Sequence, residues 1–313
     1  MKKVAVVAIG GNAIMPDTAS SSMEKQYENV YQTVIHIAGM MKEGWNVVIV
    51  HGNGPQVGLI LRQSELAKKE VPTVPMDYAG AFTQGAIGYM FTNAMRQVFA
   101  QNSIKSEPVA MVTQTLVDSS DPAFQNPTKP VGDWYTEAAA RELADTLGWH
   151  VVEDSGRGWR RVVPSPRPVG IIEIEAIKKL VSLNMPVVCV GGGGIPVIKK
   201  NSGLCGVEAV IDKDMSSALL AEKLGADMLL LPTAVEKVAI DFGKPTQKWL
   251  DKITLEEARI YLDEGQFPAG SMGPKVTALM EYVSASNGGI GVITTPQNMA
   301  NAIKGRAGTH MVR

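Results

Sequence analysis

Short apolar runs rich in β-branched residues alternate along this chain with longer segments of helical period. Such an alternation is typical of an α/β protein, in which a mostly parallel sheet is covered by helices. The runs predict the strands Lys3–Ile9, Val47–His51, Val109–Thr113, Val187–Val190, Met228–Leu231 and Gly291–Thr294. The intervening segments predict the helices Met23–Glu43, Ala79–Ala100, Thr136–Leu147, Ile172–Leu183, Ser216–Leu224 and Lys275–Ser284.

One segment, residues 118–168, breaks the alternation because it is rich in Pro, Trp and Arg. Prolines remove backbone donors and are excluded from central strands, so this segment is predicted to leave the sheet as a lid or small subdomain. Its arginines are interpreted as pairing with neighbouring carboxylates, and anion binding is the alternative. The arginines are Arg157, Arg160 and Arg161, and the carboxylates are those of Glu153 and Asp154.

Composition limits the kinds of partner and compartment. With 313 residues, 45% hydrophobic content and a formal net charge of -1, the chain has room for a large core but no field of one sign. Nucleic acid and anionic membrane are therefore not expected as partners. The first apolar run is too short for a secretory signal, and no run of about eighteen apolar residues could span a membrane. Cys189 and Cys205 match no metal or disulfide pattern, so we expect a cytoplasmic protein.

Three predicted strands end in glycine clusters, which begin at Gly10, Gly52 and Gly191. In an open α/β sheet, ligands bind beyond the carboxyl ends of the strands, and glycine lets backbone N–H groups approach an anion closely. One such cluster could be only a tight turn, but three together indicate a phosphate site. The candidate substrate-binding and phosphate-binding residues are Gly10, Gly11, Asn12, Gly52, Asn53, Gly54, Gly192 and Gly193.

The common nucleotide and hydrolase motifs are absent from the sequence. A dinucleotide fingerprint beginning at Gly52 would need glycine at position 57, where Val57 stands. The sequence also lacks a G-x-x-x-x-G-K-[ST] loop, a protein-kinase glycine-rich loop with its H-R-D partner, and the H-E-x-x-H motif of metalloproteases. Nucleotide binding must therefore use another architecture, and histidine catalysis is not indicated.

Three lysines are candidates for contact with a phosphoryl group, whose oxygens carry negative charge during transfer. Lys213 precedes a predicted helix, and Asp214 beside it would orient lysines or, through water, a metal; the alternative is an N-cap aspartate beside a surface lysine. Lys275 lies in a first helical turn, where it opposes the helix dipole unless an anion is bound, although it could be simply exposed. Lys129 lies between prolines and is either a stiff arm over a cleft or a solvated loop residue.

At eight places the sequence resembles the carbamate kinases of the amino acid kinase superfamily, and the resemblance extends over essentially the whole chain. The matching motifs are Ala8–Ala13, His51–Gly58, Gln84–Tyr89, Pro127–Gly132, Gly158–Pro166, Gly191–Pro196, Gly206–Asp214 and Gly270–Val276. The resemblance implies a three-layer αβα sandwich with an open, mostly parallel sheet and a small protruding subdomain. It also implies one domain, 1–313, with an N-terminal lobe 1–212 for carbamoyl phosphate, containing the lid 118–168, and a C-terminal lobe 213–313 for the nucleotide.

The activity implied by this resemblance is reversible phosphoryl transfer between ATP and carbamate, with Mg²⁺ carried mainly by nucleotide phosphates and water and no certain protein ligand. Synthesis of ATP is the favoured direction, in arginine, agmatine or purine catabolism, and a homodimer built across the sheet is implied. Lys213 and Lys275 would embrace the transferring phosphoryl group, Asp214 would organise those lysines, and Lys129 would come down from the subdomain. The implied nucleotide-binding residues are Lys213, Thr233, Ala234, Met272, Gly273 and Lys275.

One turn departs from the family pattern. Where these kinases commonly have Thr-Asp followed by Val, this chain has Thr233-Ala234-Val235, so a carboxylate bordering the predicted nucleotide pocket is missing. Two alternatives follow: a divergent family enzyme that acts on another small acid, and a non-catalytic nucleotide-binding paralogue. Because Asp214 and the lysines are intact, we expect activity.

Overall fold

The computed structural model describes residues 2–17, 21–154, 156–201, 203–268 and 270–313, and a single large sheet organises them. Every described pairing in this sheet is parallel except that of its two strands near the carboxyl terminus, Ile290–Thr294 and Thr309–Val312. The eight strands, in spatial order, are Lys252–Thr254 (β15), Thr309–Val312 (β17), Ile290–Thr294 (β16), Met228–Pro232 (β12), Lys3–Ile9 (β1), Trp45–His51 (β2), Val187–Val188 (β9) and Val109–Ala110 (β3).

Helices cover both faces of this sheet, and strand β1 shows why. Successive side chains of a strand point to opposite faces, and in β1 both sets are apolar. Ala5, Val7 and Ile9 belong to one buried core, whereas Val6 and Ala8 belong to the other. The first core is closed by Met23–Lys42 (α1), Met76–Gln101 (α3) and Met299–Ala302 (α9), and the second by Ile174–Ser182 (α5), Lys213–Leu224 (α6), Leu255–Asp263 (α7) and Met272–Ala285 (α8). The predicted three-layer α/β fold is confirmed.

Smaller sheets lie outside the main one. A four-stranded sheet contains Gly203–Gly206 (β11), Ile195–Lys200 (β10), Gln114–Val117 (β4) and Pro168–Ile171 (β8), and a hairpin contains Val238–Ile240 (β13) and Lys248–Leu250 (β14). A third, antiparallel sheet contains Lys129–Tyr135 (β5), Trp159–Val163 (β7) and His150–Glu153 (β6), with helix Glu137–Leu147 (α4) inserted between β5 and β6. This last sheet lies within the segment expected to leave the main sheet, and its Pro130 occupies an edge strand, where a missing N–H is tolerated.

Several predicted boundaries were wrong for identifiable reasons. Strand β9 ends before Val190, which adopts a left-handed backbone with φ of 53° and begins the glycine turn. Helix α6 begins at Lys213 rather than Ser216, because the Asp212 side chain caps it. The segment after His51 is not only a glycine turn, since helix Gly54–Ala67 (α2) begins inside it with Pro55 in the first turn. Across the described ranges, no helix has the length and apolarity needed to cross a membrane.

Candidate active site

The candidate site lies at the carboxyl ends of the central strands. Strand β1 is flanked by β2 on one side and β12 on the other, so the chain connections diverge at β1 and leave a crevice beyond its end. Gly10 follows β1, Gly52 follows β2, and Thr233 follows β12. The predicted phosphate-binding turns therefore meet at one edge of the sheet.

Two of the predicted lysines converge on one carboxylate. Lys213 Nζ donates to Asp214 Oδ1 at 2.6 Å and to the carbonyl oxygen of Ala8 at 2.9 Å. Lys275 Nζ donates to the other oxygen, Asp214 Oδ2, at 2.8 Å. Both lysines lie in the first turns of helices, Lys213 in α6 and Lys275 in α8. The structure thus brings together residues that are distant in sequence. The alternative of a surface lysine beside an N-cap Asp214 is wrong, because the Lys213 side chain is only 14% exposed and the N-cap is Asp212.

Burial and charge set the protonation of this cluster. Burial alone would raise the pKa of the Asp214 carboxyl, but the charges of Lys213 and Lys275 hold that pKa well below its usual range. Burial lowers the pKa of the Lys213 ammonium, and Lys275 reinforces this effect while Asp214 opposes it. Two ammonium groups therefore share one carboxylate, and the cluster carries a surplus of positive charge facing the crevice.

The third lysine reaches the same region from the β5 strand. Lys129 Nζ donates to Asp212 Oδ2 at 2.9 Å, across a sequence separation of 83 residues. Asp212 immediately precedes Lys213, and its other oxygen, Oδ1, accepts the backbone N–H groups of Asp214 and Met215. Lys129 is therefore held beside the start of α6.

The glycine turns pack directly against one another. The Gly52 N–H donates to the carbonyl oxygen of Ile9 at 2.8 Å, and a Cβ on Gly52 would lie only 2.5 Å from the Gly11 nitrogen. Gly192 has a φ of 69° and leaves no room for a Cβ beside the side chain of Asn53. Close packing therefore requires glycine at positions 52 and 192, whether or not a ligand binds. The turns together form one continuous wall, which consists of Gly10, Gly11, Gly52, Asn53, Gly192 and Gly193.

The remaining predicted contact residues lie in turns or at the starts of helices. Asn12 is exposed in the short turn Gly11–Ala13, and Gly54 is exposed at the first position of α2. Thr233 donates its backbone N–H to the carbonyl oxygen of Thr294 at 2.8 Å, and Ala234 beside it is exposed. Met272 and Gly273 open α8, one turn from the Lys275 ammonium.

His51 is a buried neutral base rather than a catalytic one. Its ring is 1% exposed and stacks on Phe91, and Nδ1 lies 3.1 Å from the carbonyl oxygen of Gly52. A carbonyl only accepts, so Nδ1 carries the proton in this arrangement. Burial lowers the pKa of His51 to about 4, and the nearby Lys213 charge acts in the same direction.

Gln84 is a supporting residue whose role the sequence did not predict. Its Nε2 donates to the carbonyl oxygens of Gly191 and Thr113, at 2.9 and 3.1 Å, and its Oε1 accepts the Thr113 N–H at 2.7 Å. This buried amide fixes the start of the glycine turn at Gly191. A polar residue in an otherwise apolar stretch of α3, followed by Gly85, was the available signal.

The arginine cluster pairs with carboxylates, as interpreted from the sequence, but only in part with the expected ones. Arg157 and Arg160 both contact Asp154, whereas Arg161 contacts Glu208 at 2.6 Å. Glu153 instead accepts the N–H of Gly156. A cavity of about 450 Å³ next to Arg161 is lined by none of the predicted site residues.

Comparison with known proteins agrees with this geometry. The sequence model of the amino acid kinase family matches residues 3–293. A carbamate kinase of Thermococcus kodakarensis is 47% identical over 100% of both chains, and the carbamate kinase-like protein YahI of Escherichia coli is 44% identical over 100% of both. The solved structure of carbamate kinase from Giardia lamblia bound to AMP-PNP is similar with a TM-score of 0.93 and 43% identity, covering 99% of this chain and 98% of that one. The chain belongs to the amino acid kinase family.

Proposed function

We propose that this protein is a carbamate kinase, which transfers a phosphoryl group reversibly between ATP and carbamate and works mainly toward ATP, from carbamoyl phosphate and ADP. The observation that carries the proposal is the pair of ammonium groups, Lys213 and Lys275, held by Asp214 at the carboxyl end of β1. Transfer of a phosphoryl group requires positive charge around the migrating group and little other chemistry. Relatives of the same length, named carbamate kinases, supply the substrate class.

In the proposed mechanism, carbamoyl phosphate and ADP lie end to end across the crevice. The glycine wall holds the acyl-phosphate end, Lys213 and Lys275 contact the transferring group, and Lys129 approaches it from the lid. Thr233, Ala234, Met272 and Gly273 border the nucleotide. No general base is required, because the attacking oxygen of ADP or of carbamate is already ionised. Asp214 is committed to two lysines and His51 is neutral and buried, which agrees with a reaction that needs no base.

Magnesium is proposed to enter with the nucleotide, held by phosphate oxygens and water. The Asp214 carboxylate, which lies between the two lysines, already accepts a lysine at each oxygen. The metal would add positive charge between the nucleotide phosphates, complementing that of Lys213 and Lys275.

The proposed setting is the cytoplasm, where arginine, agmatine or purine catabolism would supply carbamoyl phosphate. A homodimer is proposed because α3 exposes a row of aromatic side chains on one face, Tyr78, Phe82 and Tyr89, at 58%, 52% and 68% exposure. Sedimentation equilibrium should give twice the chain mass for the wild type and a shift toward the monomer for Tyr89→Asp. A monomeric wild type would refute the dimer.

Two other functions rest on the turn at Ala234, which lacks the carboxylate common in the resembling kinases. One is a family enzyme that phosphorylates another small acid. The other is a nucleotide-binding protein without turnover, and curated relatives of this chain include one named only as carbamate kinase-like.

The deciding experiment mixes purified protein with carbamoyl phosphate and MgADP and detects ATP with luciferase. We expect the wild type to make ATP and Lys213→Ala to lose about 100- to 1000-fold in rate, as when one charge-stabilising group is removed. Lys223→Ala is the matched control, because Lys223 lies on the same helix with an exposed side chain. A wild type that binds ADP but makes no ATP would refute the proposal and favour one of the two alternatives.

A further inference from the structure

The segment that leads into α6 contacts the lid sheet through alternate residues. Glu208 pairs with Arg161 of β7 at 2.6 Å, and the Val210 N–H donates to the carbonyl oxygen of Pro164, just after β7, at 2.9 Å. Asp212 then pairs with Lys129, the first residue of β5, at 2.9 Å. Residues 208, 210 and 212 therefore each contact the base of the lid, two through side chains and Val210 through its backbone.

Asp212 differs from the other two because it makes two kinds of contact at once. Its Oδ1 accepts the backbone N–H groups of Asp214 and Met215, at 2.9 and 3.4 Å, and so fixes the start of the helix that carries Lys213. Its Oδ2 accepts from Lys129. One side chain thus joins the lid lysine to the helix that carries the buried lysine and its carboxylate.

We propose that Asp212 is a positioning residue for phosphoryl transfer: it holds Lys129 against the start of α6, so that Lys129 and the Lys213–Asp214–Lys275 cluster face the same phosphoryl group. A lysine ammonium has three donors, so Lys129 keeps its bond to Asp212 while donating to a phosphoryl oxygen. Because the capping contact makes Asp212 rigid, it supplies a fixed point that a flexible lysine side chain lacks. This inference rests on the proposed function, which gives Lys129 its role.

The informative substitution is Asp212→Asn. Asparagine caps a helix about as well as aspartate, so the start of α6 is retained while the charged partner of Lys129 is lost. We expect kcat/KM for carbamoyl phosphate to fall about ten- to a hundredfold, the range of a lost charge-assisted hydrogen bond. Glu208→Gln is the matched control: it removes the neighbouring lid contact away from the lysines, and its kcat/KM should stay within about twofold of the wild type.

A double-mutant cycle separates positioning from a general structural effect. If Asp212 acts through Lys129, the Asp212→Asn, Lys129→Ala double variant is no slower than Lys129→Ala alone. A double variant that loses the product of the two single effects overturns the proposal. So does an Asp212→Asn enzyme with wild-type kinetics.

Hydrogen exchange keeps the test independent of the proposed activity. Asp212→Asn should speed exchange of amides in β5 and leave those of α6 unchanged, since the cap persists. If the wild type makes no ATP yet this pattern is seen, the proposed function fails and the positioning of Lys129 stands. Unchanged exchange in β5, or loss of protection in α6, overturns the assignment of Asp212.

Discussion

The site holds its lysines in two different ways. Lys213 and Lys275 are 14% and 17% exposed and share a carboxylate that is 9% exposed, whereas Lys129 and Asp212 are 38% and 28% exposed. The nitrogen–oxygen distances are nearly the same, from 2.6 to 2.9 Å. Distance therefore does not distinguish the two arrangements, but solvent does, because water weakens an exposed pair and leaves a buried charge dependent on its partner.

The largest effect on stability is expected at Asp214. Asp214→Asn leaves two nearly buried ammonium groups without their carboxylate, which we expect to lower the free energy of unfolding by about 3–5 kcal/mol. Urea denaturation with linear extrapolation measures it. Asp251→Asn is the control, because Asp251 pairs with Lys237 at 2.6 Å but is 83% exposed, so this substitution should leave the free energy of unfolding nearly unchanged. Equal losses in the two variants would remove the distinction between buried and exposed pairs.

The next effect concerns pH and the same buried side of the site. The folded state lowers the pKa of His51 to about 4, so the unfolded chain takes up a proton first as pH falls. The contribution of His51 to the free energy of unfolding is fully present above the unfolded pKa of about 6.5. It is lost, by about 3 kcal/mol in total, as pH falls toward 4. Urea titrations at several pH values should show a flatter dependence in this window for His51→Gln. Parallel curves for the two proteins would contradict the prediction.

A smaller effect on stability is expected from the lid lysine. Lys129→Ala removes an ion pair of which both members are partly exposed, so the free energy of unfolding should change by less than about 1 kcal/mol even though turnover falls. The same urea series measures stability, and the luciferase assay measures turnover. A loss comparable to that of Asp214→Asn would show that the lid pair also holds the fold together.

The smallest effect is expected at the exposed turn that contains Ala234. Ala234→Asp restores the carboxylate of the family pattern at an exposed position, so stability should stay within about 0.5 kcal/mol of the wild type. The KM for MgADP should fall, by no more than about fivefold, which corresponds to about 1 kcal/mol. Steady-state kinetics of the two proteins measure this KM. An unchanged or higher KM would show that position 234 does not contact the nucleotide or its metal.

Much of the fold could be predicted because the central strands are buried on both faces. After the exposed Lys3, strand β1 is apolar from Val4 to Ile9, and short β-branched runs of this kind are typical of parallel strands buried on both faces. Helix α2 could not be predicted in the same way. Its opening residues, Gly54 and Pro55, are common in turns as well as at helix starts, and the preceding glycines favoured the turn.

The lysines of the candidate site could be singled out from the sequence, but their arrangement could not. Lys213 and Lys275 stood out by their positions at helix starts, yet nothing in periodicity shows that their side chains meet at Asp214 across 61 residues of sequence. For Lys129, only the family resemblance favoured a catalytic role over that of a solvated loop residue. From the sequence alone Asp212 received no role, because an aspartate just before a helix is usually only a cap. The structure shows that one oxygen of Asp212 does cap the helix and that the other accepts from Lys129.

The shared carboxylate also affects how the protein should be handled. Two cations held by one anion leave positive charge in the crevice, and helices α6 and α8 begin beside it, which favours a small dianion there. Sulfate and inorganic phosphate match the transferred group in size and charge. We therefore expect sulfate and phosphate buffers to compete with substrate, and chloride or acetate buffers of low ionic strength are the appropriate medium for rate measurements.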